Sequence, residues 1–184
     1  MSINLQPTLQ GELLSLRPLR PEDWDALYSV ASDPLIWEQH PASDRYKEDV
    51  FQGFFREALA SGGAFAVVVD SKDAKAAKAG RETIIGSTRF FGYNEEKSEI
   101  EIGWTFLARS HWGGRYNREM KQLMLRHAFQ FVKRVVFLVG PQNLRSQRAM
   151  EKIGGVRAGT RLDATGRESV VFVITAASML PSPR

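Results

Sequence analysis

The chain has 184 residues, of which 43% are hydrophobic and 25% are charged, and its formal net charge is +4. This composition is typical of one compact domain, and it excludes collagen-like and disordered chains. The sequence contains no Cys, which excludes disulfides, thiolate zinc sites, iron–sulfur clusters and a cysteine nucleophile.

No apolar run approaches the roughly 20 residues that span a bilayer, and the first residues lack the basic and then apolar pattern of a signal peptide. We therefore expect a cytoplasmic protein with no membrane partner. The 25 Lys and Arg residues are interspersed with 21 Asp and Glu residues, which is too even a balance to predict nucleic-acid binding. The three His residues show no metal-ligand spacing, so we expect no metal.

The first half of the sequence predicts a strand, two helices and a second strand. Apolar and polar residues alternate over residues 14–19, which indicates a strand. Apolar residues at helical spacing follow Pro21, and they recur after Ser43 and Asp44, either of which can cap the second helix. The apolar, β-branched run Ala64–Val69 predicts a buried strand.

The second half predicts two hairpins, with two helices and a strand between them. An exposed, Lys- and Ala-rich connection over residues 71–81 precedes these elements. The elements are strands at 83–91 and 98–106, a helix with an apolar stripe from Met120 to Phe131, a buried strand at 135–139, a helix that Asn143 caps and Gly154 closes, and strands at 156–161 and Glu168–Thr175. This order predicts a mixed α/β sheet with helices on both faces, in a single domain over residues 1–184.

Two glycines stand where a strand leads through a turn into a helix. Gly113 and Gly114 let the backbone approach an anion closely, because they carry no Cβ. The first N–H groups of a helix lack partners and carry partial positive charge, so phosphate binds there readily. Arg109 and Arg115 flank the turn, and His111 lies just before it, where it can contact phosphate. The turn is a candidate anion site, although an ordinary tight turn has the same pattern.

Known nucleotide fingerprints are absent from the sequence, since neither GxxxxGK[ST] nor GxGxxG after a strand occurs. The chain instead resembles GNAT-family N-acetyltransferases in four segments, which keep the family's order and cover almost the whole chain: LRPLRPEDWDAL, IIGSTRF with EIGWTF, HWGGRYNREMKQLMLRHAF and NLRSQRAMEKIGG. It is most similar to the subgroup that acetylates the N-termini of ribosomal proteins. The resemblance implies the GNAT-like acyl-CoA N-acyltransferase fold, an α+β fold whose central, mostly antiparallel sheet has one parallel splayed pair and helices on both faces.

The resemblance implies acetyl-coenzyme A (acetyl-CoA) as co-substrate and an amine as acceptor. In this family the pantetheine arm enters between two splayed strands, which match residues 101–107 and 135–139 here. The pantetheine and thioester would then lie against the backbone of Phe106 and Leu107, with Asn143 on the pantetheine side. The pyrophosphate would rest on the backbone N–H groups of Trp112, Gly113, Gly114, Arg115, Tyr116 and Asn117.

The chain departs from the family at the phosphate turn. When the segment is aligned on Glu119, the family's Gly-x-Gly or Gly-x-Ala pair falls on Arg115 and Asn117. Arg115 can replace close backbone approach with charge, and Asn tolerates unusual backbone angles better than most residues. Many family members also carry a Tyr acid where this chain has Met150. A non-catalytic acyl-CoA-binding or regulatory module with the same fold is therefore the alternative to an enzyme.

The resemblance also implies an acid and a base. Glu101 lies where several GNAT enzymes carry a Glu that takes the amine proton, directly or through water, and it is the implied base. Strand alternation puts Glu99 and Glu101 on one face, where both can also lie in solvent beside basic residues. Ser146 matches a Ser that the ribosomal-protein subgroup uses on the leaving sulfur, and its alternative role is helix capping. Tyr116 is the second candidate for the acid.

The demand for a base depends on the acceptor. An α-amine with a pKa near 8 needs little base catalysis at pH 7, whereas a Lys-type amine with a pKa of about 10.4 is almost wholly protonated. The resemblance places the acceptor mouth between the first two helices, where Trp37, Glu38 and His40 are the candidate substrate-binding residues. The sequence leaves open whether the acceptor is a small-molecule amine or a peptide or protein α-amine. It also leaves open a homodimer through the second helix or the closing hairpin.

Overall fold

The computed structural model describes residues 3–69, 82–162 and 166–179, and within these ranges the chain forms an eight-stranded sheet with helices on both faces. The strands are β1 (Leu9–Gln10), β2 (Leu14–Pro18), β3 (Ala64–Val69), β4 (Thr83–Asn94), β5 (Glu99–Leu107), β6 (Arg134–Val139), β7 (Val156–Leu162) and β8 (Glu168–Thr175). The helices are α1 (Trp24–Ala31), α2 (Glu48–Ala60), α3 (Arg115–Ala128), α4 (Leu144–Lys152) and α5 (Ala176–Met179). Short 3-10 helices lie at Pro21–Asp23, Pro34–Ile36 and Arg109–His111.

The sheet is mixed and mostly antiparallel. Its spatial order is β1-β2-β3-β4-β5-β6-β8-β7. Neighbouring strands are antiparallel except β5 and β6, which run parallel. Parallel neighbours need a crossover connection, and α3 provides it here. The predicted fold class, a mostly antiparallel sheet with one parallel pair and helices on both faces, is therefore confirmed.

The centre of the sheet is buried on both faces, and β3 shows how the sequence achieves this. Phe65 and Val67 belong to the apolar core that contains residues of α3 and α4. Ala64 and Ala66 belong to the opposite core, which contains residues of α1 and α2. Because successive side chains of a strand point to opposite faces, a strand covered on both sides carries a continuous apolar run. The predicted buried strand is confirmed.

Some predicted boundaries differ from the structure. Helix α2 starts after Lys47, which makes no side-chain cap, so the caps expected at Ser43 and Asp44 are wrong. Those two residues lie in turns that precede the helix. The two-residue strand β1 is too short to show a periodicity in the sequence. The expected connection at 71–81 and the centre of the last hairpin, residues 163–165, lie outside the described residues.

A bulge near the end of β5 changes the face that its side chains take. The register against β4 shifts between Gly103 and Phe106, where β5 carries one residue more than its partner. Trp104 lies in this span with a φ of 50°, which is rare for a bulky side chain. Ile102 belongs to the α3 core before the bulge, whereas Phe106 belongs to the α1 and α2 core after it. A bulge bends its strand, and β5 separates from β6 in this region.

Candidate active site

Strands β5 and β6 diverge toward their C-terminal ends and leave a cleft between them. Residues 99–101 of β5 pair with residues 134–136 of β6, and the pairing ends there. A cavity of about 690 Å³ lies in the opening. Its walls include residues 102–107 of β5, residues 137–139 of β6 and the beginnings of α3 and α4. A long, narrow ligand can therefore enter between the two strands without breaking a backbone pair.

Helix α3 begins at the wall of this cleft, after a turn formed by two glycines. Gly113 and Gly114 have φ angles of 107° and 109°, a backbone conformation that other residues rarely adopt. No atom outside the adjacent chain lies within 4 Å of a Cβ built on either residue, so the conformation rather than crowding requires glycine. Both glycines line the cleft, as does Asn117 in the first turn of α3. The positive end of the α3 dipole therefore lies at the cleft.

Two of the predicted phosphate contacts are placed differently from what we expected. The Trp112 N–H donates to the Arg109 carbonyl at 3.1 Å, so the N–H groups at the cleft start after Trp112. The Arg109 side chain forms an ion pair with Asp33 at 2.5 Å and lies outside the cleft wall. The phosphate contact of Arg109 therefore stays a prediction, and the ion pair with Asp33 does not support it.

The other side chains around the turn divide into those at the cleft and those away from it. His111 lines the cleft, and its ring packs edge-on against Tyr116 with the centroids 4.7 Å apart. Tyr116 packs against the α3 core outside the cleft wall, which weakens its case as the acid. Arg115 is exposed outside the wall, whereas Arg118 lines it. Arg115 and Asn117 have no left-handed backbone angles, so their backbones do not need the family's small residues.

An Arg–Trp contact joins the two sides of the cleft. The Arg145 Cζ lies 4.1 Å from the centroid of the Trp112 ring, within the range of a cation–π interaction. Arg145 Nη2 also donates to the Ile36 carbonyl at 2.7 Å. Trp112 Nε1 donates to the Leu107 carbonyl at 3.0 Å. This bond uses one of the two lone pairs of the carbonyl oxygen and leaves the other able to accept a further hydrogen bond. The Phe106 ring is buried in the core, and the contact of its backbone with a donor stays a prediction.

The start of α4 presents a hydroxyl group to the cleft. Asn143 Oδ1 accepts a hydrogen bond from the Ser146 N–H at 3.1 Å, so the predicted helix cap is confirmed. Ser146 lines the cleft, and its hydroxyl has no hydrogen-bond partner in the described part of the chain. Since Asn143 caps the helix, the Ser146 hydroxyl remains available to a ligand. Met150 is buried at the same wall.

Glu99 and Glu101 lie on the same face of β5 but have different surroundings. Glu99 is 7% exposed and forms ion pairs with Arg161 at 3.1 Å and Arg134 at 3.5 Å. Glu101 forms no ion pair within residues 3–69, 82–162 and 166–179, and burial raises the pKa of its carboxyl to about 7. Gly103, which lines the cleft, adjoins Glu101, since a Cβ on Gly103 would stand 3.1 Å from Glu101 Oε1. Glu101 can therefore exchange a proton near neutral pH beside the cleft.

The segment between α1 and α2 brings two of its three predicted residues to the cleft. Trp37 and His40 line the wall. Trp37 is also part of the core, where its indole N–H donates to the Ala31 carbonyl at 2.7 Å. Burial lowers the pKa of His40 to about 4, so its ring is neutral at pH 7. Glu38 lies outside the wall and forms an ion pair with Arg145 at 3.7 Å, and its role in substrate binding stays a prediction.

Lys121 is a cleft residue that the sequence patterns did not single out. It is 2% exposed on α3, and its Nζ donates to Thr105 Oγ1 at 2.5 Å and lies 3.5 Å from Thr88 Oγ1. Burial lowers the pKa of this amine to about 7. Its position offered a signal, because Lys121 precedes Met124 by three residues and Ala128 by seven, on the edge of the apolar stripe.

The described ranges contain neither a candidate metal site nor a helix that could span a membrane. No group of three or more His, Cys, Asp or Glu side chains in them is placed to hold a metal ion. No helix in them has the length and apolar content needed to cross a bilayer. A second, smaller cavity of about 540 Å³ lies around Asp33 and Arg109, apart from the cleft.

Comparison with known proteins identifies the family. A model of the Acetyltransferase (GNAT) domain matches residues 14–156. The chain is 28% identical over 148 residues to Uncharacterized N-acetyltransferase YnaD of Bacillus subtilis (strain 168), an alignment that covers 79% of this chain and 81% of that protein. A solved structure described as a probable acetyltransferase (GNAT family) from Chromobacterium violaceum ATCC 12472 superimposes with a TM-score of 0.77 at 23% identity, over 93% of this chain and 87% of that one.

Another solved structure with a similar fold contains a bound ligand. Mycobacterium smegmatis RimJ in complex with CoA-disulfide superimposes with a TM-score of 0.69 at 19% identity, over 99% of this chain and 93% of that one. Identities this low show a shared fold alone. The family match, by contrast, spans most of the chain and includes the strands and helices around the cleft. This protein therefore belongs to the GNAT family of acetyltransferases and is an acetyl-CoA-dependent acyltransferase.

Proposed function

We propose that this protein transfers an acetyl group from acetyl-CoA to a primary amine, on a small molecule or at a peptide or protein α-amine, by direct attack in a ternary complex. When bound, acetyl-CoA supplies an activated thioester. The observation that carries the proposal is the cleft between β5 and β6, which has the positive end of α3 at its wall. We further propose that residues 1–184 form a single N-acetyltransferase domain.

The residues around the cleft fit such a donor. Gly113 and Gly114 let a diphosphate approach the N–H groups at the start of α3, and Arg118 adds positive charge beside them. The separated backbones of β5 and β6 can bind the amide groups of the pantetheine arm as a sheet binds an added strand. The backbone of Phe106 and Leu107 would hold the thioester end. Asn143 would lie on the opposite wall.

The reaction needs a base for the amine and an acid for the departing sulfur. We assign the base to Glu101, because a carboxyl with a pKa of about 7 can take the proton of an α-amine near neutral pH. The proton passes directly or through water, since Glu101 lies behind Gly103. As the new C–N bond forms and the C–S bond breaks, the Ser146 hydroxyl gives a proton to the thiolate. Ser146 regains that proton from solvent.

Two measurements test the proposal. Isothermal titration with acetyl-CoA tests donor binding, and release of free thiol across a panel of primary amines tests transfer. The panel includes peptides with free α-amines because of the resemblance to the ribosomal-protein subgroup. We expect saturable donor binding and thiol release with at least one amine. Absence of donor binding at millimolar acetyl-CoA would reject the proposal.

A non-catalytic acyl-CoA-binding module is the second candidate. It is favoured by Met150, which stands where many family members carry a Tyr acid. Arg115 and Asn117 do not add to this case, because the positive φ angles of the turn lie at Gly113 and Gly114. Donor binding without thiol release from a broad amine panel would support this candidate. Thiol release with any amine would exclude it.

A further inference from the structure

Two arginines on the acceptor face, by which we mean the face of the sheet that carries α1, α2 and Glu101, form no ion pair within residues 3–69, 82–162 and 166–179. Arg89 on β4 is 4% exposed, and its guanidinium lies 4.7 Å from the Trp104 ring centroid and 5.6 Å from that of Phe54. Its Nε and Nη2 atoms are buried and have no hydrogen-bond partner among the residues that the structure describes. Arg45, from the segment before α2, is half-buried, and its Cζ lies 4.7 Å from the same Phe54 centroid.

The aromatic rings attract the positive charge of these guanidinium groups, but a ring offers no oxygen or nitrogen acceptor for their N–H donors. A ring attracts a cation above its face, whereas the N–H donors of Arg point outward in the plane of the group. The in-plane donors Nε and Nη2 of Arg89 therefore remain unmet, although buried charged donors normally have partners. Among the described residues, the folded protein thus contains buried Arg89 donors for which it provides no acceptor atom.

The charges around these two arginines leave the site positive. Burial lowers the pKa of each guanidinium to about 10, so both remain protonated at pH 7. Among the ion pairs formed within the described ranges, none includes either arginine. Glu57 and Asp44 act on them from exposed positions, and Glu101 is only partly ionised near pH 7. Arg167 adds positive charge near Arg45.

This positive site adjoins the cleft. Trp104, whose ring centroid lies 4.7 Å from the Arg89 guanidinium, lines the cleft. His40 also lines it, and its Nε2 lies 3.4 Å from Arg45 Nη1. Since His40 is neutral, it supplies no counter-charge. An anion held by the arginines would lie on the same face as Glu101.

We propose that the acceptor amine carries an anionic group, a carboxylate or a phosphate, and that Arg45 and Arg89 bind this group while Glu101 takes the amine proton. The proposal rests on the proposed acetyl transfer. Guanidinium groups bind the oxygens of carboxylate and phosphate through paired N–H donors. Such an anion would satisfy the donors of Arg89 and offset the repulsion between the two cations. The acceptor class is then an amino acid or an amine phosphate, rather than a neutral amine or a polyamine.

Matched acceptors test the proposal through thiol release from acetyl-CoA. The series compares ω-amino acids, aminoalkyl phosphates and amino alcohols of equal chain length. Each KM is expressed as the concentration of the unprotonated amine form. We expect the KM of an anionic amine to lie about 10-fold or more below that of its amino alcohol. Whichever of the carboxylate and phosphate series has the lower KM identifies the anion. Equal KM values for anionic and neutral amines would overturn the proposal.

Variants locate the effect. Arg89→Gln and Arg45→Gln should each raise the KM of the anionic amine about 10-fold or more, while the KM of the amino alcohol and the Kd of acetyl-CoA stay within roughly 2-fold. Arg56→Gln, at an exposed arginine on α2, is the matched control and should change none of these values. If Arg89→Gln does not fold, Arg45→Gln decides, because Arg45 is only half-buried. An unchanged KM in the folded variants would contradict the proposal.

Binding of anions that carry no amine group tests this proposal separately from the proposed acetyl transfer. Isothermal titration of glutarate and of inorganic phosphate, with and without millimolar CoA, should show binding of at least one of them to the wild type. Arg89→Gln or Arg45→Gln should weaken that binding about 10-fold or more. Such binding without any acetylated amine would retain the anion site and reject acetyl transfer. Transfer to neutral amines without anion binding would reject the anion site alone.

Discussion

Two carboxylates on β5 stand two residues apart and share a face, yet their surroundings give them different chemistry. Arg134 from β6 and Arg161 from β7 bind Glu99, and both are distant from it in the sequence. Glu101 is partly buried beside Gly103 without an ion pair in the described ranges, and burial raises its pKa to about 7. Strand alternation could place the pair on one face, but only the paired strands show which carboxylate is neutralised.

Glu101→Gln should lower kcat about 100-fold and leave the Kd of acetyl-CoA nearly unchanged, because Gln has the shape of Glu but cannot accept the amine proton. A base must be ionised to act, so wild-type kcat should rise with pH as Glu101 loses its proton around pH 7. The variant should lack this rise. Initial rates of thiol release between pH 5.5 and 9 measure both effects.

The matched control is Glu95→Gln, at an exposed residue of the hairpin between β4 and β5. It should keep the wild-type rate and pH profile. A Glu101→Gln variant with an unaltered rate would remove Glu101 from the mechanism.

Lys121→Met should stabilise the fold at pH 7. The pKa of Lys121 is about 7 in the folded state and 10.5 in its ordinary state, so the unfolded chain binds more protons between these pH values. The stability of the wild type therefore rises with pH through this window. We expect the variant to be more stable by on the order of 2–4 kcal/mol at pH 7, with the difference shrinking toward pH 10.5.

Urea unfolding at several pH values checks this prediction, provided that the m-values of the two proteins agree. Lys97→Met, at an exposed lysine, is the control and should change the free energy of unfolding by less than about 0.5 kcal/mol. A pH-independent difference between Lys121→Met and the wild type would show that the buried amine does not carry the effect.

The turn before α3 is the element on which donor binding depends. Alignment with the family placed its small residues at 115 and 117, but the left-handed backbone angles fall on Gly113 and Gly114. The sequence allowed either pair to form the turn, because Gly113 and Gly114 directly precede the positions that match the family's small residues. Which pair turns the chain depends on where α3 begins, and that boundary could not be read from the apolar stripe further along the helix.

Gly114→Glu should raise the Kd of acetyl-CoA about 10-fold or more, as isothermal titration would measure. The new side chain would stand at a φ of 109° and would bring negative charge to the positive end of α3. Gly62→Glu provides the matched control, because Gly62 also has a positive φ and open space around it, in the turn after α2. The control carries the backbone strain without the charge at the cleft. Equal donor affinity in all three proteins would contradict the donor site.

Most elements could be predicted because their causes are local. The apolar run of β3, the Asn143 cap and the final hairpin each depend on neighbouring residues. The bulge at Trp104 could not be predicted, since aromatic residues favour strands and nothing nearby signals a positive φ. The burial of Arg89 without a hydrogen-bond partner could not be predicted either, because the rings around its guanidinium group come from α2 and β5.

The molecule as a whole consists of two parts of one sheet that meet at β5 and β6. Three paired positions join these strands, and beyond them the cleft separates the two parts. Side-chain contacts such as that of Arg145 with Trp112 span the opening. A ligand that binds both walls should therefore hold the two parts together.

Acetyl-CoA at about 100 times its Kd should raise the free energy of unfolding by about 2.7 kcal/mol, if it binds the folded state alone. For a chain of this length that corresponds to an increase in Tm of roughly 5–10 °C, which thermal unfolding with and without ligand would detect. Gly114→Glu should show a smaller increase at the same ligand concentration. A wild-type Tm that does not respond to acetyl-CoA would contradict donor binding.

A crystal structure of the protein with bound CoA would decide the matter with the fewest assumptions. We predict that the diphosphate oxygens lie about 3 Å from backbone N–H groups between Gly113 and Asn117. The pantetheine arm should lie between residues 102–107 of β5 and 137–139 of β6. A diphosphate bound elsewhere, or a cleft that the protein's own side chains fill while CoA binds outside it, would contradict the donor site that we propose.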